Sequence, residues 1–165
     1  EAIRNSVLSL KVFDLFHRQG SKVDRSTFDR TGFWKHCLAV AGASQMIARR
    51  VRGVSSEEAF VAGLLHEARL EMLAAKGFSE LDLGDGKTGM IMADLVMNYK
   101  SEGHLNDEIT IFCRVDEISS IGFRIFYKIM REDTVIVLAE SGMVAFDYSA
   151  GHVAEIPEVF QEAFE

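Results

Sequence analysis

The chain has 165 residues, 48% of them hydrophobic and 26% charged, with one Pro and 13 Gly. That composition excludes disordered, collagen-like and low-complexity classes and fits one compact domain or two small ones. No stretch reaches the ~18 uncharged apolar residues of a membrane span, and the opening Glu1-Ala2-Ile3-Arg4 lacks the basic-then-apolar layout of a signal peptide. A cytoplasmic protein is expected. The net charge of −7 divides unevenly: residues 1–66 carry ten Lys/Arg against six Asp/Glu, and residues 67–165 carry eight against nineteen. An acidic second half repels phosphate backbones and anionic lipid, and the first half lacks clustered Lys/Arg with interleaved aromatics. Neither nucleic acid nor a membrane is expected as a partner.

The opening apolar positions Ile3, Val7, Leu8, Val12, Phe13, Leu15 and Phe16 predict a helix ending near Gly20, and this stretch reads as one without its natural beginning. From Phe33, helical spacing continues through Cys37, Val40, Ala41, Ser44, Ile47, Ala48 and Val51. Asp29 or Thr31 is expected to cap this helix, and Gly53 to stop it. Ser55 and Glu58 form a capping box for a third helix, predicted over 55–76, whose apolar face runs from Phe60 through Leu64, Leu65 and Ala68 to Leu73. Cys37 and Cys113 lie inside apolar patterns and read as small buried hydrophobes.

After Gly77 the period changes. Residues 81–89 are rich in glycine and predict a flexible connection, and four segments then alternate with period two, as strands do. They run from Ile91 to Tyr99, Ile109 to Val115, Phe123 to Ile129 and Val135 to Ala145. Short connections at Ser119-Ser120 and Arg131-Glu132-Asp133 make the last three an antiparallel meander. The predicted class is α+β, with N-terminal helices joined through the long central helix to a four-stranded antiparallel sheet. The segment Met90–Tyr99 carries one charge, Asp94, and is a candidate open edge for pairing with a second copy. A homodimer or larger oligomer is therefore expected.

Two resemblances meet inside the central helix. Glu67-Ala68-Arg69-Leu70-Glu71-Met72-Leu73, Gly77-Phe78-Ser79, Met97-Asn98-Tyr99-Lys100, Leu105-Asn106-Asp107-Glu108-Ile109 and Ile156-Pro157-Glu158 resemble the hotdog-fold acyl-CoA thioesterases of the 4-hydroxybenzoyl-CoA type. Phe33-Trp34-Lys35-His36-Cys37-Leu38-Ala39-Val40-Ala41 and Glu57-Glu58-Ala59-Phe60-Val61-Ala62-Gly63-Leu64-Leu65-His66 are similar to the HDOD domain, a helical signalling relative of the HD phosphohydrolases. The expected division is 1–66 and 67–165, the two parts sharing the helix 55–76 as one compact unit. A seam within a helix, where the charge balance changes sign, points to a chimera, natural or engineered.

The HDOD resemblance aligns His36 and His66 with the two histidines of the HD metal site. Glu67 replaces the Asp of the pair, and the last Asp has no counterpart, so these three residues are the metal candidates, against a reading in which both imidazoles simply bond nearby carboxylates. The thioesterase resemblance implies a catalytic carboxylate at the loop before the central helix or on it, with helix N-terminal amides holding the thioester oxygen. That loop is replaced here. Glu67 and Glu71 are the remaining catalytic candidates, set against a reading in which Glu67, Arg69 and Glu71 form a solvated or interface face. His104 and His152 read as surface residues. Gly84-Asp85-Gly86-Lys87-Thr88-Gly89 invites a phosphate-loop reading, but the required strand-before, helix-after order is inverted. The main functional expectation is a chimeric scaffold without an intact catalytic site and without a cofactor. The alternatives are a hotdog acyl-CoA thioesterase and an HDOD-like interaction module.

Overall fold

The computed structural model describes residues 30–104 and 107–164. The expected opening helix and Asp29 lie outside these residues. The chain divides into two compact units that part between Glu71 and Met72. Among the described residues, no helix is long and apolar enough to cross a membrane.

The first unit contains helix α1, Arg30–Ala48, and most of helix α2, Ser56–Ala74. Thr31 falls inside α1, so it cannot occupy the capping position before the first turn. The helix also ends five residues short of Gly53, which takes a positive φ of 81° in the turn that follows. Cys37, Ala41 and Ala48 form the buried face of α1. These are small side chains, and they permit close approach. A Cβ added to Gly63 of α2 would lie 2.8 Å from the Ala41 Cα, a distance real Cβ contacts do not show. The two helices therefore meet backbone to backbone at Gly63 and Ala41. At the start of α2 the Glu58 amide donates to Ser55 Oγ at 3.2 Å, half of the expected capping box. Glu57, and not Glu58, accepts the Ser55 and Ser56 hydroxyls.

In the second unit α2 closes on Gly77, which has φ 83°, and the Phe78 amide reaches back to the Leu73 carbonyl. The glycine-rich connection is knit together. Asp82 accepts the amides of Gly84 and Gly86, and Asp85 accepts those of Lys87 and Thr88 together with the Thr88 hydroxyl. Desolvation raises the Asp85 carboxyl, but the bonds from Thr88 and Lys87 outweigh it and hold the group below its usual range. The expected flexible linker is thus a pair of side-chain-closed turns. The sheet follows: β1 Thr88–Tyr99, β2 Ile109–Asp116, β3 Gly122–Arg131, β4 Thr134–Asp147 and β5 His152–Val153. Its order is β1-β4-β3-β2, every pair antiparallel, with β5 added to β4. The four strands stand where the alternation puts them; β5 is too short to leave a period-two signal.

Phe123, Ile125, Tyr127 and Ile129 form one buried face of β3. A short helix, α3, Glu158–Phe164, brings Phe160 to 4.8 Å from Phe123 and 5.1 Å from Phe78, centroid to centroid. On the other face Phe126 and Leu138 pack with Val96 and Val135. Beside them runs a charged row. Ala93 is the extra residue of a bulge, since Met92 pairs with Met143 and Asp94 with Gly142. Gly142 in turn pairs with Arg124, so Arg124 reaches across a position with no side chain to bind Asp94 through two bonds of 2.8 and 2.9 Å. Glu140 accepts the same guanidinium. A Cβ at Gly142 would lie 2.5 Å from Asp94 Oδ2. We expect Gly142→Ala to break this bridge and lower stability in urea denaturation by about 1–3 kcal/mol; an unchanged midpoint would contradict the role given to the glycine.

Candidate functional site

The close crossing at Gly63 and Ala41 fixes what stands one turn away on each helix. Four residues beyond Gly63 is Glu67, and four residues before Ala41 is Cys37, with His36 next to it. Glu67 and Arg69 are each 5% exposed, so of the solvated or interface face read from the sequence, solvation does not hold at these two positions. A carboxylate removed from water needs donors. Two imidazoles supply them: His36 Nε2 lies 2.9 Å from Glu67 Oε2, and His66 Nδ1 lies 3.1 Å from Oε1. Both rings reach toward solvent, the His36 side chain being 64% exposed and that of His66 42%. A buried carboxylate is thereby linked to the surface through two imidazole rings.

The structure brings together three of the four candidates, His36, His66 and Glu67. Glu71 stands one turn further along α2 and is half-buried. In place of three donors around one centre, the two nitrogens point at separate oxygens of one carboxylate. Among the described residues, no group of three His, Cys, Asp or Glu side chains is arranged to hold a metal ion. His104 and His152 are exposed, as expected; His104 Nδ1 meets Arg131 Nη1 at 2.9 Å in a small cluster with Asp107. Cys37 registers the carboxylates beside it. Burial first, then the charge of Glu67 and last that of Glu71, push its thiol up to about 11, against an opposing backbone hydrogen bond.

The family model described as the thioesterase-like superfamily matches residues 53–164. The chain belongs to the thioesterase-like superfamily. The HDOD domain model matches residues 1–75, so the two matches overlap on 53–75, a stretch that contains Glu67. No curated protein matches this thioesterase-like chain. Solved structures of the same fold include a hypothetical protein from Aquifex aeolicus, 23% identical with a TM-score of 0.55, the alignment covering 61% of this chain and 79% of that one. A gentisyl-coenzyme A thioesterase is 22% identical with a TM-score of 0.53 and the same two coverages. A 1,4-dihydroxy-2-naphthoyl-CoA thioesterase from Synechocystis is 17% identical with a TM-score of 0.55, covering 63% and 78%. The fold is the hotdog-like α+β arrangement that the resemblance implied. The family match favours the thioesterase alternative over an inactive scaffold.

With a thiol pushed up to about 11, Cys37 is almost entirely protonated at pH 8, about one molecule in a thousand carrying the reactive thiolate. We expect iodoacetamide at that pH to leave Cys37 unmodified in the folded protein and to alkylate it in urea, as read by peptide mass spectrometry. Equal labelling in both states would contradict the burial described for it.

Proposed function

We propose that the protein is an acyl-CoA thioesterase whose water-activating machinery is the carboxylate–imidazole cluster of Glu67, His36 and His66. Family membership and the hotdog-like fold support thioester hydrolysis, and two relatives of the same fold carry CoA thioesterase in their names. The observation that carries the placement is the buried Glu67 clamped between two surface imidazoles. A thioester carbonyl is attacked readily by hydroxide and slowly by neutral water, so hydrolysis at neutral pH needs a group that accepts a proton as the water oxygen attacks. Glu71 is placed outside this machinery. A cytoplasmic setting fits the two cysteines, neither of which forms a disulfide among the described residues.

We further propose a homodimer formed along β1. Among the described residues, β1 has a neighbour on one side only, β4. The Lys100 amide bonds the Ile136 carbonyl, so alternation puts the amides of Leu95 and Met97 on the outer side of the strand. Ile91 and Met92, beside the bulge, are exposed. Such an edge pairs with its own copy across a two-fold axis.

Release of free CoA thiol across a panel of aryl and alkyl thioesters tests the activity. Turnover on the order of 10 per second is expected for the preferred substrate, and a rate equal to buffer for every thioester would overturn the proposal. Light scattering tests the assembly. A mass twice that of the 18.4 kDa chain is expected, falling to one chain in Leu95→Pro; a monomer at high micromolar concentration would contradict the dimer.

A further inference from the structure

We infer that the cluster divides its labour, His36 accepting the proton of the attacking water and Glu67 acting as the positioning residue behind it. The inference rests on the thioesterase reading above. Glu67 is poorly placed to meet water itself. It is 5% exposed, and each of its two oxygens faces an imidazole nitrogen. His36 is well placed. Its side chain is 64% exposed, and Nε2 points inward at Glu67 Oε2 across 2.9 Å. A carboxylate accepts hydrogen bonds and donates none, so this contact requires the ring proton on Nε2 and leaves the lone pair of the neutral ring on Nδ1. Nδ1 is the nitrogen not held by the carboxylate, and it is the base.

His66 completes the geometry. By occupying Oε1 at 3.1 Å it prevents the carboxylate from rotating away from His36. The remaining ionisable neighbours fit this assignment. The Cys37 thiol stays neutral, and Arg69 and Glu71 lie on the same stretch of α2. A plain helix-to-helix staple would need only an ion pair. Here a buried carboxylate behind an exposed imidazole also fixes the tautomer and stabilises the imidazolium that forms.

In the proposed step water gives a proton to Nδ1 while its oxygen bonds to the thioester carbonyl carbon, moving the π pair onto the carbonyl oxygen. As the C=O re-forms, the C–S bond breaks, and the imidazolium returns the proton to the leaving sulfur. The products are a carboxylic acid and a free thiol. Glu67 is not protonated at any point.

The test uses the full chain with benzoyl-CoA and hexanoyl-CoA. We expect His36→Ala to lower kcat by about 10²–10⁴ with KM little changed, and added imidazole to restore part of the loss. Glu67→Gln should lower kcat without a comparable response to imidazole. A long-range ¹H–¹⁵N correlation spectrum of the unmodified protein gives a reading that does not depend on any variant folding: His36 should carry its proton on Nε2. Hydrolysis that survives His36→Ala at the wild-type rate, or a proton found on Nδ1, would overturn this inference and leave the thioesterase reading standing. Failure of the unmodified protein to hydrolyse either thioester or any other member of the panel would overturn both.

Discussion

The first unit depends on how a carboxylate is kept charged out of water. Glu67 lies within the buried face of α2, where an unpaired carboxylate would cost several kcal/mol. His36 and His66 compensate it, and they can do so because Gly63 and Ala41 let the helices approach until their backbones nearly touch. Small residues thus determine the position of a charged one. A larger side chain at Gly63 would separate the helices, and His36 would lose Glu67 before any residue of the cluster had been altered.

The same reasoning accounts for what the sequence made legible. Strands β1 to β4 announced themselves through strict alternation, since moving any of them by one residue would turn its apolar face to water. Both helices showed their apolar stripes, and α2 its cap. The candidate trio of His36, His66 and Glu67 also came from sequence, by resemblance alone. Burial at Glu67 and Arg69 did not, because periodicity marks apolar residues as interior and charged ones as exterior. Glu67 is interior by virtue of partners, one of them 31 positions away in the chain. The role of Gly142 was hidden for a related reason. Its meaning depends on the bulge at Ala93, which brings Asp94 and Arg124 to either side of it, and no local pattern signals a bulge at an alanine.

The two family matches overlap within one helix, and each unit contributes something different. The sheet unit carries the hotdog-like framework, β1 at one end of its strand order among the described residues, and a core bound by Phe78, Phe123 and Phe160. The helical unit carries the cluster of titratable groups. Thioester chemistry in this chain, on the proposed reading, has moved from a loop carboxylate to a carboxylate–imidazole pair on packed helices. Helical elements hold such a pair more firmly than a loop would, and positional accuracy is what general-base catalysis rewards.

The central claim is that a thioester substrate reacts at the Glu67 cluster. The most direct measurement is a titration of the full chain with a non-hydrolysable acyl-CoA thioether, following the imidazole resonances of all five histidines. The account predicts saturable shifts at His36 and His66, with His104 and His152 unmoved. Saturable binding that leaves His36 and His66 unmoved would contradict it.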